Sequence, residues 1–255
     1  MTRTRTLPLL LALILAGCVS TTPAHSQIPA PTQKPAAAPA ITPVPIPAPP
    51  VAAIDLTLNS IDDADSLWVV VDKLRRLNPK KYAPSGLKTL DIPHTYTPTL
   101  RNDAAKAYVK MFRAARKDGV NLVVQSAYRS YSTQVSVYNG WVSTLGRKGA
   151  DLQSARPGYS EHQIGLSVDI ASASGSCTIQ GCFAKTREGK WLTANAWRFG
   201  WHLRYPKGKT SITGYKFEPW HWRYVGNELA AELHLTPKIT LEEFFGLPAA
   251  PDYAS

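Results

Sequence analysis

The sequence predicts an α+β domain: a small antiparallel sheet packed with flanking helices, preceded by a disordered Pro/Ala tether. Three observations carry this. Apolar residues recur at helical spacing between residues 62 and 145. From Gly165 to Val225 the pattern changes to short alternating runs separated by turn residues. Residues 19–53 are nearly all Pro, Ala, Thr and Ser. Helices followed by strands indicate segregated α+β architecture rather than alternating βαβ units.

Taken in order, Arg3 and Arg5 precede an apolar run from Leu7 to Ala16, the n- and h-regions of a secretory signal, too short to span a bilayer. The run ends Leu15-Ala16-Gly17-Cys18, which resembles the lipobox of bacterial lipoproteins, in which the cysteine is lipidated and becomes the first mature residue. Residues 1–17 are then the signal and 18–53 the lipidated cysteine and linker. Ten of the chain's 21 prolines fall in Val19–Ala53, with Lys34 its one charged residue. Such a segment buries no core and reads as an extended spacer, at about 3.1 Å per residue in a polyproline conformation.

The domain is expected over 54–249, with a catalytic core at about 102–226 and a tail at 250–255. Asp62, Asp63 and Asp65 lead into Leu67, Val70, Val71, Leu74 and Leu77, with Lys73, Arg75 and Arg76 late and Pro79 beyond, which predicts a first helix. A second runs from an Asn102 cap to Gly119 with Ala105, Tyr108, Val109, Phe112 and Ala115 buried. Leu122 to Val124 is a short strand. A helix from about Ser132 puts Val135, Tyr138, Val142 and Leu145 on one stripe. Gly165 to Ala171 alternates, with Leu166, Val168 and Ile170 opposite Ser167, Asp169 and Ala171. Leu192, Ala196 and Phe199 suggest a helix ended by Gly200. Trp201 to Tyr205 and Trp220 to Val225 are strands, and Thr240 with Glu243 forms a capping box for a last short helix.

The formal net charge is +11. A basic surface suits an anionic partner, and export points to the anionic cell wall or membrane surface rather than to nucleic acid. Of three cysteines, Cys18 belongs to the lipobox, and Cys177 with Cys182 reads as a disulfide in an oxidising compartment. Four intervening residues and no third ligand nearby argue against metal binding by that pair.

Of six histidines, His25 lies in the tether, and His94, His202 and His234 have no acidic or histidine neighbour at useful spacing. His162 and His221 differ. His162 sits in a turn-rich lead into the alternating strand, and Asp169 occupies that strand's polar face, where a carboxylate needs a partner and a metal is an efficient one. In Glu218-Pro219-Trp220-His221-Trp222-Arg223-Tyr224, His221 and Arg223 share one face. Pro219 interrupts the ladder and frees Glu218 to turn toward a metal. Two imidazoles and a carboxylate leave a fourth tetrahedral position open, the catalytic arrangement for one zinc ion per chain, and a further unligated carboxylate beside it is what hydrolysis requires as general base.

Ser160-x-His162-x-x-Gly165-x-x-x-Asp169 and Glu218-x-x-His221 resemble the paired signatures of VanY-type D-alanyl-D-alanine carboxypeptidases, a family placed with lysostaphin-like endopeptidases and the hedgehog zinc domain. The resemblance spans about Asn102 to Val225, including Ser126-Ala127-Tyr128-Arg129-Ser130, Gln134 and Arg204-Tyr205-Pro206. It implies that His162, Asp169 and His221 bind zinc and that Glu218 activates water. It also places Arg129 near the metal, as oxyanion stabiliser or as holder of the substrate carboxylate, against a competing reading as a surface salt bridge. Gln134 and Ser160 are further substrate-binding candidates, though Gln134 at a first helical turn also fits a solvent-facing position and Ser160 a turn cap. Tyr159, Trp220 and Trp222 fit core and binding wall equally well.

The implied activity is removal of the terminal D-Ala from peptidoglycan stems by a monomeric, membrane-anchored lipoprotein facing the wall or periplasm. The alternatives are L,D-carboxypeptidase action on tetrapeptide stems, wall endopeptidase action, and a non-catalytic zinc-stabilised binding module, against which Glu218 argues.

Overall fold

The computed structural model describes residues 54–236 and 239–254. The Leu7–Ala16 run, Cys18 and the Pro/Ala segment lie outside these residues.

The first predicted helix is not formed. Residues 61–77 run as turns and extended chain. Trp68 and Val70 enter one apolar cluster while Val69 and Val71 enter another. A β-branched run that buries alternate residues on opposite sides is a strand-like pattern, not a helical stripe. Its carbonyls are met by arginines: Arg223 Nη2 donates to Leu67 O and Val69 O at 3.0 Å, and Arg204 Nη2 to Val71 O at 3.3 Å. The backbone bonds a helix would have made internally go to tertiary partners.

Two short strands that sequence periodicity did not reveal, β1 (Leu87–Thr89) and β2 (Thr99–Arg101), form an antiparallel pair ahead of α1 (Asn102–Lys117). Helix α1 begins within a residue of the expected position, but Asn102 is its first residue and no side chain caps it. It buries Ala104, Ala105, Tyr108, Met111 and Ala115. Strand β3 (Leu122–Ser126) leads through a loop to α2 (Tyr131–Asp151), capped by Ser130 and broken at Gly146, whose φ of 66° only glycine adopts freely. Of the expected stripe Val135, Tyr138, Val142 and Leu145 only Tyr138 is buried, and Leu145 is exposed; Gln134, outside that stripe, is buried as well.

After a 3₁₀ turn at Glu161–Ile164 comes β4 (Ser167–Ser172), then α3 (Arg187–Asn195), β5 (Trp201–Leu203), the single-turn α4 (Thr210–Thr213) and β6 (His221–Tyr224). Helix α5 (Asn227–Leu235), also missed by the periodicity, precedes α6 (Leu241–Phe244), whose Thr240–Glu243 capping box is present in both directions. The main sheet has the order β3-β4-β6-β5, antiparallel throughout. Leu166, Val168, Ile170 and Trp201 are wholly buried in the larger cluster, and Tyr108 of α1 meets Trp201 edge to face at 5.9 Å between centroids. Each such side chain contributes roughly 1.5–3 kcal/mol by leaving water. One sheet face is thereby committed to the core. The last residues pack onto the domain rather than trailing from it: Ala250 N–H donates to Ile212 O at 2.7 Å, and Lys73 Nζ, itself buried, donates to Gly214 O and Pro251 O at 2.8 and 3.1 Å.

Candidate metal centre and active site

The other sheet face carries the chemistry. Ser126, Asp169 and His221 fall opposite one another on β3, β4 and β6, so strand register alone aligns three polar side chains in one row. A bulge between Val124 and Ser126 brings Ser126 into the row. His162 reaches it from the 3₁₀ turn, which Gly165 ends in a left-handed conformation at φ 69°. A Cβ on Gly165 would also crowd Leu87 and Arg101, so this turn needs glycine.

His162 Nε2 lies 3.2 Å from Asp169 Oδ2, and His221 Nδ1 lies 3.0 Å from Asp169 Oδ1. The two rings stand edge to face at 5.0 Å. One donor atom from each of the three residues lies within 4.8 Å of the others, and all three residues are buried. Donors about 2.0–2.2 Å from a tetrahedral zinc would sit about 3.3–3.6 Å apart, close to the spacings found. His162 Nδ1 faces the Ala127 carbonyl at 2.7 Å. A carbonyl only accepts, so Nδ1 carries the hydrogen and Nε2 presents its lone pair. The residues present fit a metal.

The three groups shift one another's protonation. Burial alone would raise Asp169, but His162 and His221 hold its carboxyl far below the usual range. Burial lowers His162, with Asp169 opposing. Burial also opposes protonation of His221, yet its bonds to Asp169 and Glu161 raise it to about 9.

Glu218 is buried at the start of the turn into β6: its N–H donates to Tyr205 O, and its carbonyl accepts from His221 N–H across Pro219 and Trp220. Burial pushes its carboxyl up to about 8, Asp169 and Glu161 adding to the effect and His221 and Arg129 opposing it. It makes no short bond to the His162–Asp169–His221 group. A carboxyl tuned this way is suited to proton transfer near neutrality.

Arg129 follows β3, and its backbone N–H donates to His162 O at 3.0 Å. Its Nη1 donates to Gln134 Oε1 at 2.7 Å and its Nη2 to Ser126 Oγ at 3.1 Å. Burial lowers its pKa, and Asp169 and Glu218 lie near enough to counter this. The guanidinium is held over the site and makes no ion pair among the described residues, unlike a surface salt bridge.

Gln134 is wholly buried rather than solvent-facing, its Nε2 donating to Ser154 Oγ and Ala155 O. Its amide holds Arg129 against the loop at residues 154–155. Ser160 is buried and its hydroxyl caps nothing. Trp220 and Trp222 belong to the core, while Tyr159 meets Tyr253 edge to face at 5.0 Å. Cys177 and Cys182 are joined, with Cα atoms 5.5 Å apart.

A cluster behind the histidines escapes any local sequence pattern. Glu161, Arg204, Arg223 and Glu242 are all fully or almost fully buried. Glu161 Oε1 accepts from Arg204 Nε at 2.8 Å and Arg223 Nη1 at 2.9 Å, and Glu242 takes the Arg204 fork at 2.6 and 2.9 Å. Two cations and two anions balance, the condition for burying charge. The cluster's members surface singly in the sequence, Arg204 in the Arg204-Tyr205-Pro206 stretch of the resemblance and Arg223 on the polar face of β6 with His221, and nothing there joins them.

A buried His/Asp/His donor set on a small antiparallel sheet, with an unligated carboxyl and a fixed guanidinium beside it, defines a metallopeptidase site. The chain belongs to the VanY family, described as D-alanyl-D-alanine carboxypeptidase, which matches residues 97–227. YodJ of Bacillus subtilis (strain 168) is 39% identical over 193 residues, covering 74% of this chain and 70% of that protein. A D-alanyl-D-alanine carboxypeptidase of Enterococcus faecalis (strain ATCC 700802 / V583) is 38% identical over 143 residues, 52% of this chain and 51% of that one. Among solved structures, the LD-carboxypeptidase LdcB superposes with a TM-score of 0.67 at 39% identity, over 72% of this chain and 87% of LdcB. A mutant of the vancomycin-resistance D,D-pentapeptidase VanY in complex with Zn(II) gives 0.59 at 31% identity, over 69% and 97%. The chain is therefore a peptidase of the carboxypeptidase type.

Proposed function

We propose that this protein is a zinc-dependent carboxypeptidase that releases the C-terminal D-Ala from peptidoglycan stem peptides, with D-Ala-D-Ala-ended stems as its substrate. The observation that carries the reading is the juxtaposition of three buried donors with a fourth, unligated carboxyl raised to about 8. His162 Nε2, Asp169 and His221 Nδ1 would hold the metal. Zinc so held supplies Lewis acidity toward the scissile carbonyl and lowers the pKa of water to about 7. Glu218 takes the proton from the attacking water and passes it to the leaving amine of D-Ala. Arg129, fixed by Gln134 and Ser126, offers a guanidinium fork to the substrate's terminal carboxylate or to negative charge developing on the carbonyl oxygen. Burial of the whole group excludes bulk water and strengthens each of these interactions.

L,D-carboxypeptidase action on tetrapeptide stems is the second reading. It is favoured by the higher TM-score of LdcB. Both reactions release D-Ala and differ only in the residue that precedes it. Mass spectrometry of defined tri-, tetra- and pentapeptide stems after incubation with the zinc-loaded domain distinguishes them. Pentapeptide shortened to tetrapeptide supports the first reading, and tetrapeptide shortened to tripeptide supports the second. No cleavage of either would sink both. The lipobox at Cys18 and the long Pro/Ala segment support a lipoprotein working at the cell envelope, consistent with a wall substrate and with a disulfide in the domain.

A further inference from the structure

Glu161 directly precedes His162 and is buried in the 3₁₀ turn that positions it. Its carboxylate meets four donors. Oε1 accepts from Arg204 and Arg223, while Oε2 faces Ser167 Oγ at 3.2 Å and His221 Nε2 at 3.3 Å. A carboxylate paired with two guanidiniums is acceptor-only, so the imidazole atom facing it is the one that carries the hydrogen. Nε2–H of His221 therefore donates to Glu161, while Nδ1 faces a second carboxylate, Asp169 Oδ1, at 3.0 Å, and is the ring atom that would turn its lone pair on a metal bound there. The two histidines thus present different ring nitrogens to the same point, His162 through Nε2 and His221 through Nδ1. The partner that dictates the choice is a backbone carbonyl in one case and a buried carboxylate in the other.

We propose that Glu161 is a positioning residue for the metal centre, fixing the tautomer and ring orientation of His221 without itself being a ligand. Arg204 and Arg223 hold Glu161 in place, and Glu242 of α6 completes the fork of Arg204. A relay of side chains, Glu242–Arg204–Glu161–His221, then joins the metal centre to a C-terminal helix that lies beyond the residues matched to the family. The proposal rests on the zinc-peptidase reading. It adds that the geometry of the donor set is held by a carboxylate on the far side of the His221 ring.

The test compares shortened carboxylates that keep the buried charge balance. In Glu161→Asp the carboxylate retreats by one methylene from His221. In Glu242→Asp the same retreat occurs at Arg204, away from the ring. Zinc dissociation constants from chelator competition should rise 10–100-fold for Glu161→Asp, the usual effect of losing a bond that orients a metal-bound histidine. For Glu242→Asp they should stay within about twofold of wild type, even where its melting temperature falls as far. Zinc affinity unchanged in Glu161→Asp, or lowered equally in both variants, overturns the proposal. Should Glu161→Asp fail to fold, ¹⁵N-histidine spectra of the zinc-loaded wild-type protein decide: His221 is expected protonated at Nε2 and not at Nδ1, and the reverse tautomer overturns the assignment. A wild-type protein that binds no zinc would overturn the metallopeptidase reading itself and this proposal with it.

Discussion

Asp169 and His221 are register partners on adjacent antiparallel strands, and their side chains meet at 3.0 Å although 52 residues separate them in sequence. A one-residue slip between β4 and β6 would send one of the two into the apolar core. Register is specified here because the opposite face bears Val168, Ile170 and Trp222, all in the larger core cluster. The forces that bury the core therefore also assemble the metal centre.

Glu218→Gln should lower turnover on the preferred stem by about 10²–10⁴-fold, the usual worth of a positioned proton-transfer group. Metal content should stay at one zinc per chain, because the side chain makes no short contact with the donor set. His162→Ala, Asp169→Ala and His221→Ala should lose metal and activity together. Elemental analysis beside turnover separates the cases, and zinc lost from Glu218→Gln would mean that the base has been misassigned.

Arg129→Lys keeps the charge but loses the two-pronged geometry. If the fork reads the substrate's terminal carboxylate, kcat/KM on free-acid stems should fall roughly 10–100-fold, the cost of losing a charged hydrogen bond. Amidating the C-terminus of the substrate should give a similar fall in wild-type enzyme, and the two losses should not add. Amidated stems cut as fast as free ones would point to endopeptidase action.

His202 should give the fold an acid sensitivity of its own. Its ring is half-buried on β5 beside Arg223, and its Nε2 is enclosed without a hydrogen-bond partner among the described residues. Burial, with Arg204 and Arg223 adding and Glu161 opposing, pushes it down to about 3. The unfolded chain, with an ordinary histidine near 6.5, binds the proton first as pH falls, so stability is lost from about pH 6.5 downward. Between pH 7 and 5 this amounts to about 2 kcal/mol. Melting curves should show wild type losing roughly 5 °C more over that interval than His202→Gln. Equal losses would mean that the His202 ring is protonated at no cost.

Cys18→Ser should move the protein from the membrane fraction to the soluble exported fraction while leaving the activity of the domain unchanged. Fractionation of cells carrying each form, followed by immunoblotting, measures this. Wild-type protein found wholly in the soluble fraction would remove the anchor.

Residue type and short spacing determined much of this protein. Ser160-x-His162-x-x-Gly165-x-x-x-Asp169 and Glu218-x-x-His221 pick out the candidate donor set and the candidate base, because metal ligands of this kind are few and their chemistry is restrictive. The alternation of Leu166, Val168 and Ile170 announced β4, and Thr240 with Glu243 announced the start of α6, since period and capping are local properties.

What depends on distant partners only the tertiary structure decided. Residues 62–77 carry a helical apolar spacing and charges that suit a helix, yet they run as turns and extended chain. Two cores compete for alternate side chains there, and buried arginines 130 to 160 residues away take the carbonyls. Gln134, legible only as a polar residue at a helix start, is a buried brace for Arg129. Glu161 looks like one more acid beside a histidine until the fold brings Arg204 and Arg223 against it and Glu242 of α6 against Arg204. A buried charge is tolerable only with its partners in place, and where those partners come from is a property of the folded chain.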